Sequence, residues 1–355
     1  MTTIELFLKL VRNALWQTEE ELPEELSVNM AANIIRGCRE QGLTGLVVDA
    51  LVRNRVRVPE EQYLEMMVML MRVKQGNEEV NGGLRRLMEL FDGQGIDFMV
   101  VKGQVVGAYY PEPMLRQTGD IDYYCDAQNF TKAQEAIHEA WGIIAQRYNY
   151  EHHVCFNYEG ITYEGHFVLT KFYNKEKDRY WQQLVDEDQG CTVMVDGMKV
   201  RTLSPTLHAL FVFIHLYKHM LNQGISFRQF CDLAVLLHYC HEEIDHEKVQ
   251  EILKTMGLQR AYRAIGCVLT DSLGMPAKDL GCELTDKDRR FTKRIFGIVR
   301  CHGNMGHHNL HHPEIGWKHS VEVATMKLSH FAKLWPLAPA YSCRWIVREF
   351  TRRLF

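Results

Sequence analysis

The stretch FMVVKGQVVGAYYPEPMLRQTGDIDYYCD, residues 98–126, constrains the fold of this chain more than any other part of the sequence. A short apolar run at 97–101 is followed by Lys102-Gly103-Gln104 and by a helix-like segment at 104–110. Two prolines then interrupt the pattern before a second apolar run at 120–125. This order predicts a strand, a tight turn, a short helix, a loop and a second strand.

Two aspartates lie two positions apart on the second predicted strand. Asp120 and Asp122 therefore share one face of the strand, while Ile121 and Tyr123 point to the other. Neighbouring carboxylates raise each other's pKa unless a cation lies between them. Carboxylate oxygens suit Mg²⁺ or Mn²⁺, ions that also bind nucleotide phosphates. The pair predicts a metal-dependent phosphate-binding site.

Bulk composition narrows the class of protein. The chain has 355 residues, which favours two or three domains, and its 46% hydrophobic and 24% charged residues are typical of a folded protein. The net charge of −4 excludes a chain-wide basic field for nucleic acid, although a local groove stays open as an alternative.

The cysteines and the amino-terminal residues predict where in the cell the protein is found. The ten cysteines are scattered without a CxxC pair, which indicates reduced thiols. The first residues lack the features of a signal peptide, and the apolar run at 66–73 contains Arg72 and is too short to span a bilayer. We predict a cytoplasmic protein without a membrane partner.

Hydrophobic periodicity divides the chain into three regions. Residues 1–95 are predicted to be helical, with Asn29 capping a helix at 30–39 and Gly82-Gly83 bending or breaking a helix at 60–91. A methionine-rich part of the last helix is predicted to pack in the core, with a flexible binding surface as the alternative. Its spacing places one set of apolar residues on a common face, namely Leu64, Met67, Val68 and Met71, within a cluster that also contains Met66 and Met69.

Residues 96–203 are predicted to form an α/β core, and residues 204–355 a second helical region. Beyond the strands above, the core has a predicted helix at 129–141 and strand-like runs at 143–148, 152–158, 161–169, 192–195 and 198–203. Glu159-Gly160 and Asp196-Gly197 mark two hairpins. Ser204-Pro205 opens a helix to about 221, followed by helices at 226–239, 245–256, 258–273 and in the tail from 321. The predicted fold is α+β, with a small mixed β-sheet flanked by helical regions.

The ordered motifs resemble the nucleotidyltransferase superfamily that includes DNA polymerase beta. They are most similar to a bacterial group described as uncharacterised nucleotidyltransferases. The matching motifs run in order from about residue 96 to residue 240, and they are Lys102-Gly103, Arg116, Asp120-Ile121-Asp122, Glu164 with His166, the run HLYKH at 215–219, and Arg228 before Asp232.

The resemblance implies an activity and a site. The activity is transfer of a nucleoside monophosphate from an NTP, with ATP favoured, to a hydroxyl acceptor on a small molecule, an RNA end or a protein, with release of pyrophosphate. The implied catalytic residues and ligands of Mg²⁺ or Mn²⁺ are Asp120, Asp122 and Glu164. The implied nucleotide-binding residues are Lys102, Gly103, Gln104, Arg116 and His166.

One departure from the superfamily pattern keeps alternatives open. Gln104 stands where a serine or glycine is usual, and a small residue lets a backbone approach phosphate closely. Gln104 is therefore either a side-chain ligand of phosphate or a sign of a degraded turn. Gln104 favours one alternative, a catalytically inactive, nucleotide-binding regulatory module. The resemblance itself implies the other, a toxin-like modifier of tRNA or protein, because the superfamily extends to such toxins.

Four further features are interpreted as structural. Arg228 and Asp232 have the spacing of an internal salt bridge on a helix. His152, His153 and His215 are interpreted as packing or edge histidines. The His-rich run at 301–312 fits no zinc pattern and is predicted to be a polar loop. The basic positions 344, 348, 352 and 353 are predicted to form a solvated helix face, with an acidic or RNA partner as the alternative.

Overall fold

A computed structural model describes residues 1–144, 152–222, 224–302 and 317–337. Over these residues the chain has the predicted α+β fold. Along the sequence, helices precede and follow the strands of a small mixed sheet. The strands are β1 Met99–Val101, β2 Asp120–Tyr124, β3 His153–Tyr158, β4 Ile161–His166, β5 Cys191–Val195 and β6 Met198–Thr202. The helices are α1 Thr3–Trp16, α2 Val28–Gln41, α3 Thr44–Arg53, α4 Glu60–Gly93, α5 Gly103–Gly107, α6 Ala127–Trp141, α7 Lys175–Asp186, α8 Pro205–Asn222, α9 Phe227–Tyr239, α10 His246–Met256, α11 Gln259–Asp271, α12 Asp286–Arg289, α13 Thr292–His302 and α14 Trp317–Leu334.

The chain divides into two compact units. The first comprises Met1–Arg39, Leu43–Lys171 and Trp181–Phe211, and it contains all the described strands. The second comprises Glu40–Gly42, Phe172–Tyr180 and Val212–Phe355, and its described part is helical. The division into regions 1–95, 96–203 and 204–355 stays a prediction.

The larger sheet has the strand order β1-β2-β4-β3. The outer pairs, β1 with β2 and β3 with β4, are antiparallel, while the central pair β2 and β4 is parallel. The hairpin turn Glu159-Gly160 joins β3 to β4, and both of its residues have positive φ, 49° and 79°. This is the backbone that a two-residue hairpin turn requires, so the predicted hairpin is confirmed. Asp196-Gly197, with φ of 46° and 75°, likewise joins β5 to β6.

Helices cover one face of the larger sheet. Ile121 and Tyr123 on β2 and Tyr163 on β4 are fully buried in this layer, as the alternation of β2 predicts. Helix α4 lies very close to the sheet at Gly83, whose carbonyl oxygen accepts a hydrogen bond from Tyr163 Oη at 3.2 Å. The core between helices and sheet also contains Val80, Leu84, Leu87 and Phe91 of α4 and Phe130, Ala133, Ala136 and Ile137 of α6.

Two predictions for α4 hold only in part, because the helix is not broken at Gly82-Gly83 and, of the methionine cluster, Met66 and Met69 are buried while Met71 is exposed. The helix continues through Gly82-Gly83, because the missing side chain at Gly83 serves the close approach to the sheet. The buried side of its first half is formed by Met66, Met69 and Leu70. The predicted stripe is largely exposed instead, with Leu64 at 59%, Val68 at 47% and Met71 at 67%. Both stripes have helical spacing, so periodicity alone could not choose between them.

Three local predictions also need correction. The cap of α2 is Ser27 and not Asn29, because the Ser27 hydroxyl accepts a hydrogen bond from the Met30 amide at 3.3 Å. Helix α7 was missed because its sequence is polar and buries only Trp181 and Val185. Of the predicted strand at 143–148, residues 143 and 144 belong to no strand, and the rest lies outside the described residues.

The other predicted helices form close to their expected positions. Ser204 caps α8, since its hydroxyl accepts from the Leu207 amide at 3.4 Å, and Asp245 caps α10 by accepting from the Lys248 amide at 2.9 Å. The pairing of Arg228 with Asp232 stays a prediction. Of the predicted loop at 301–312, residues 301 and 302 belong instead to the end of α13, and the rest lies outside the described residues, as do the four basic carboxyl-terminal positions.

Thiols and membrane segments can be assessed over the same residues. Eight cysteines in the described part of the chain are free thiols, among them Cys38, Cys125 and Cys155. Of the helices that the structure describes, none has the length and apolar character needed to cross a bilayer.

Candidate functional site

Strand register brings two of the predicted carboxylates together. Asp122 on β2 is the direct partner of Glu164 on the parallel strand β4, and Asp120 is the partner of Thr162. These side chains lie on the face of the sheet opposite the helix-covered core, since strand residues alternate between faces. His166 follows on the same face two residues after Glu164, beside Tyr124.

Strand β3 adds two side chains that were not predicted to be functional. His153 is the partner of His166, and Cys155 is the partner of Glu164. His152 lies next to them, with ring centroids 4.5 Å from His153 and 6.0 Å from His166. The sequence contained a signal for this arrangement, because the two-residue turn of the predicted hairpin already sets its register. His153 is buried on the edge strand β3, in keeping with its interpretation as a packing or edge histidine, and the hairpin register places it beside His166.

Lys102 enters the same cluster from the turn after β1. Its Nζ lies 2.6 Å from Asp122 Oδ1, and the two side chains are only 13% and 3% exposed. Lys102 has φ of 58° and ψ of −134°, and Gly103 has φ of 24°. A non-glycine residue in this region of backbone space costs on the order of 1–3 kcal/mol, and such strain is concentrated at functional sites. The Lys102 ammonium also lies 6.0 Å from the centre of the Phe211 ring.

Asp122 is the electrostatic centre of the cluster. Its Oδ1 accepts from Lys102 and lies 2.9 Å from His166 Nε2. Burial alone would raise the pKa of Asp122, but the Lys102 charge and the His166 hydrogen bond outweigh it and hold that pKa below its usual range. Burial lowers the pKa of His166, which favours the neutral ring. Asp122 is thus an ionised acceptor held between a cation and a neutral imidazole.

Glu164, unlike Asp122, favours its protonated and neutral form. Burial, followed by the neighbouring Asp122 charge, raises the pKa of Glu164 to about 8. Its Oε1 accepts a hydrogen bond from Cys155 Sγ at 3.8 Å, and its Oε2 lies 3.8 Å from His166 Nε2. The side chain is 25% exposed, so solvent reaches it more readily than Asp122. The cluster lacks enough positive charge to keep both Asp122 and Glu164 ionised near neutral pH.

The remaining predicted residues have other contacts. Gln104 is buried, and its amide nitrogen donates to the carbonyl oxygen of Asp120 at 3.2 Å, which ties the turn to the start of β2. Arg116 is also buried and donates from Nη1 to Thr118 Oγ1 at 2.9 Å. The structure thus brings together Lys102, Asp122, Glu164 and His166 by direct contacts.

Three overlapping groups of side chains have ligand atoms close enough to hold one metal ion, with all atoms of a group within 4.8 Å of one another. One contains Asp122, Glu164 and His166. The other two groups are His153, Cys155 and Glu164, and His152, His153 and His166. This part of the sheet can therefore present either oxygen-rich or nitrogen-rich ligands.

The α+β fold and the acidic cluster beside a glycine turn define a nucleotidyltransferase-like class of protein. The family described as "Uncharacterised nucleotidyltransferase" matches residues 30–274, and the chain belongs to this family. The resemblance stated from the motifs is thereby confirmed. A crystal structure of an antigenic nucleotidyltransferase-like protein from Paracoccidioides brasiliensis is similar, with a TM-score of 0.33 and 13% identity, over 56% of this chain and 93% of that chain. No curated protein matches the sequence.

Proposed function

We propose that the protein transfers a nucleoside monophosphate from an NTP to a hydroxyl acceptor and releases pyrophosphate. The observation that carries the proposal is the meeting of Lys102, Asp122 and Glu164 on one sheet face in a chain of this family. The cation can bind the triphosphate, and the two carboxylates can bind the metal ion that accompanies it.

The residues present fit a divalent metal ion. Asp120, Asp122 and Glu164 supply carboxylate oxygens on the same face of β2 and β4, and such oxygens suit Mg²⁺ or Mn²⁺. Burial, followed by the neighbouring Asp122 charge, raises the pKa of Glu164, and a bound cation would favour its ionised form. An ion in this position would neutralise phosphate charge and lower the pKa of an acceptor hydroxyl.

The residues of the chain have separate roles in this proposal. Lys102 places an ammonium in a nearly buried position, where it stabilises negative charge on the triphosphate more than it would in water. Glu164 is the more exposed carboxylate of its pair and orients the acceptor hydroxyl by accepting its hydrogen bond. Gly103 and Gln104 shape the turn, His166 orients Asp122, and Arg116 lies near the start of β2 as a second cation for phosphate.

The favoured donor is ATP, and the acceptor is a small molecule, an RNA end or a protein hydroxyl. The test uses purified full-length protein, Mg²⁺ or Mn²⁺, each of the four NTPs, and an acceptor panel drawn from these three classes. Pyrophosphate release is measured together with label transfer from α-labelled NTP. We expect transfer with the wild-type protein and loss of at least about 100-fold in Asp120→Asn and Glu164→Gln.

Asp92→Asn is the matched control, because this carboxylate is exposed near the end of α4. Thermal unfolding of each variant separates loss of chemistry from loss of fold. Equal rates in the wild type, Asp92→Asn and Asp120→Asn would refute the assignment of the acidic cluster.

One observation favours a second function, a nucleotide-binding module without catalysis. The Lys102 ammonium contacts Asp122 Oδ1, where a metal ion would otherwise bind, and the Gln104 amide is used to hold Asp120. A protein of this kind would bind NTP in a calorimetric titration and release no pyrophosphate with any acceptor. Lys102→Met would then weaken nucleotide binding, whereas turnover with any acceptor would exclude this function.

A further inference from the structure

We propose that His152, His153 and His166 form a binding site for a divalent transition-metal ion, of which Zn²⁺ fits best. The site lies on the same sheet face as the acidic cluster but uses imidazole nitrogens. It goes beyond the proposed nucleotidyl transfer and does not depend on it, because the ligands and the preferred ion differ.

Backbone geometry brings the three imidazoles together. His153 and His166 are direct cross-strand partners in the β3–β4 hairpin, and their ring centroids are 5.1 Å apart. His152 immediately precedes β3, and one ring nitrogen from each of the three residues lies within 4.8 Å of the others. Ligand atoms around a tetrahedral zinc ion are about 3.4 Å apart, which follows from Zn–N distances near 2.1 Å. Contraction of these distances by up to about 1.4 Å completes the site, and β3 is an edge strand that can make this shift.

His166 gives an independent indication of a ligand. Its Nε2 is 2.9 Å from Asp122, whose ionised carboxylate only accepts hydrogen bonds, so the ring proton resides on Nε2. The other nitrogen, Nδ1, then carries a lone pair. His166 is 3% exposed, and among the described residues Nδ1 has no hydrogen-bond partner. Leaving a buried nitrogen without a hydrogen bond is unfavourable, and a metal ion bound to Nδ1 would offset that cost.

The contact with Asp122 has the form of a metal-site support. A histidine that binds a metal usually donates its second ring N–H to a carboxylate, which fixes the tautomer and raises the basicity of the ligand. Asp122 provides that carboxylate, and Lys102 keeps it ionised. The chain therefore contains both a buried ring nitrogen without a hydrogen bond among the described residues and the carboxylate that orients its ring.

The ligand chemistry selects the class of ion. Imidazole suits Zn²⁺, Co²⁺, Ni²⁺ and Cu²⁺, whereas Mg²⁺ prefers oxygen ligands and keeps several waters. Three histidines with one open position is an arrangement that zinc adopts where it also binds water or substrate. A competing group, His153, Cys155 and Glu164, would instead introduce a thiolate.

The test is binding of Co²⁺ and Zn²⁺ to metal-free protein without nucleotide. The His-rich run at 301–312 offers further imidazoles that would complicate the titration, so the background is the full chain with His307, His308, His311 and His312 changed to Gln. We expect one equivalent of Co²⁺ with visible d–d bands and no thiolate charge-transfer band, displaced by Zn²⁺ and not by a hundredfold excess of Mg²⁺.

Variants locate the ion. His152→Gln and His166→Gln should each lower the affinity for Co²⁺ by at least about 10- to 100-fold. This is the loss usually seen when a carboxylate that supports a metal-binding histidine is removed. His138→Gln, an exposed histidine on α6, is the matched control and should bind like the background. His152 is only partly buried, so its variant keeps the test valid if His166→Gln unfolds.

Three results would overturn the site. They are absence of stoichiometric Co²⁺ binding in the background protein, unchanged affinity in His152→Gln, and a thiolate band that disappears in Cys155→Ser. The last result would move the metal to His153, Cys155 and Glu164. None of them bears on nucleotidyl transfer, which is measured with Mg²⁺ and NTP.

Discussion

Replacing Lys102 with methionine tests the electrostatic core of the site. The change keeps the length of the side chain and removes its charge. In the wild-type protein the Lys102 ammonium lies 2.6 Å from Asp122 Oδ1 in a nearly solvent-free position. Without it, Asp122 remains a buried carboxylate whose compensation is reduced to the hydrogen bond from His166.

The expected magnitude follows from the burial of both partners. Removing one partner of a buried ion pair costs about 3–5 kcal/mol, because the other charge is left uncompensated. For a folding unit of 150–250 residues, each kcal/mol lowers the melting temperature by about 2–4 °C. Lys102→Met should therefore melt about 6–20 °C below the wild type. An exposed ion pair would contribute only about 0–1 kcal/mol.

A double-variant cycle identifies the cause. Asp122→Asn removes the carboxylate charge and keeps a side-chain oxygen that can accept the His166 hydrogen bond. The pair Lys102→Met with Asp122→Asn should be more stable than Lys102→Met alone by about 2 kcal/mol, because no buried charge remains uncompensated. Urea denaturation at pH 7 measures each free energy of unfolding.

The control is Lys74→Met on the exposed side of α4, which should stay within about 0.5 kcal/mol of the wild type. A Lys102→Met protein as stable as this control would refute the argument, since the ion pair would then contribute no more than a surface contact. Additive effects in the double variant would equally refute the coupling between Lys102 and Asp122.

Three further predictions use the same denaturation assay. Gly83→Ala should lose about 1–3 kcal/mol, because the new Cβ would lie 2.9 Å from Tyr163 Oη, whereas Gly82→Ala should gain up to about 1 kcal/mol, because its Cβ would make only an ordinary contact with the Arg86 side chain at 3.6 Å; equal effects would contradict the close helix–sheet packing. The pKa of Glu164 is about 8 in the folded protein and near 4.3 in the unfolded chain, so the unfolded chain loses this proton first and the free energy of unfolding falls as pH rises between these values. Glu164→Gln should flatten this slope in metal-free buffer. An unchanged slope would contradict the raised pKa. Burial lowers the pKa of Lys218 to about 8, so the free energy of unfolding should rise from pH 8 towards pH 10.4, the ordinary pKa of a lysine. Lys218→Met should remove this rise and should be more stable than the wild type at pH 7. A variant with the pH profile of the wild type would contradict the prediction.

Local patterns in the sequence predicted the parts of the fold that depend on neighbours in the chain. The alternation of β2 placed Ile121 and Tyr123 in the core and both aspartates on the other face, as the structure shows. The two-residue hairpin turn Glu159-Gly160 forms because glycine, and a residue that tolerates positive φ, stand where the turn needs them. These predictions succeeded because strand period and turn chemistry act over a few residues.

The errors arose where two local solutions were equally good. On α4, one apolar stripe runs through Met66, Met69 and Leu70 and another through Leu64 and Met71, and both have helical spacing. Packing against other elements, among them α3, decides which stripe is buried, and the spacing of the apolar residues does not contain that information. Helix α7 shows the reverse case, since its amphipathic pattern is too sparse to be recognised without its packing partners.

The site itself combines both kinds of information. Adjacency of Asp122 and Glu164 depends on a parallel pairing between strands separated by α6 and β3, and no residue near either carboxylate specifies that pairing. The approach of Lys102 depends on a strained turn, which propensity does not predict. The register of the β3–β4 hairpin, in contrast, is local, and it places His153 beside His166 and Cys155 beside Glu164. Two registers that meet on β4 therefore determine which metal ions this face of the sheet can hold, because the β2–β4 pairing supplies the carboxylates and the β3–β4 pairing supplies the nitrogen and sulfur ligands.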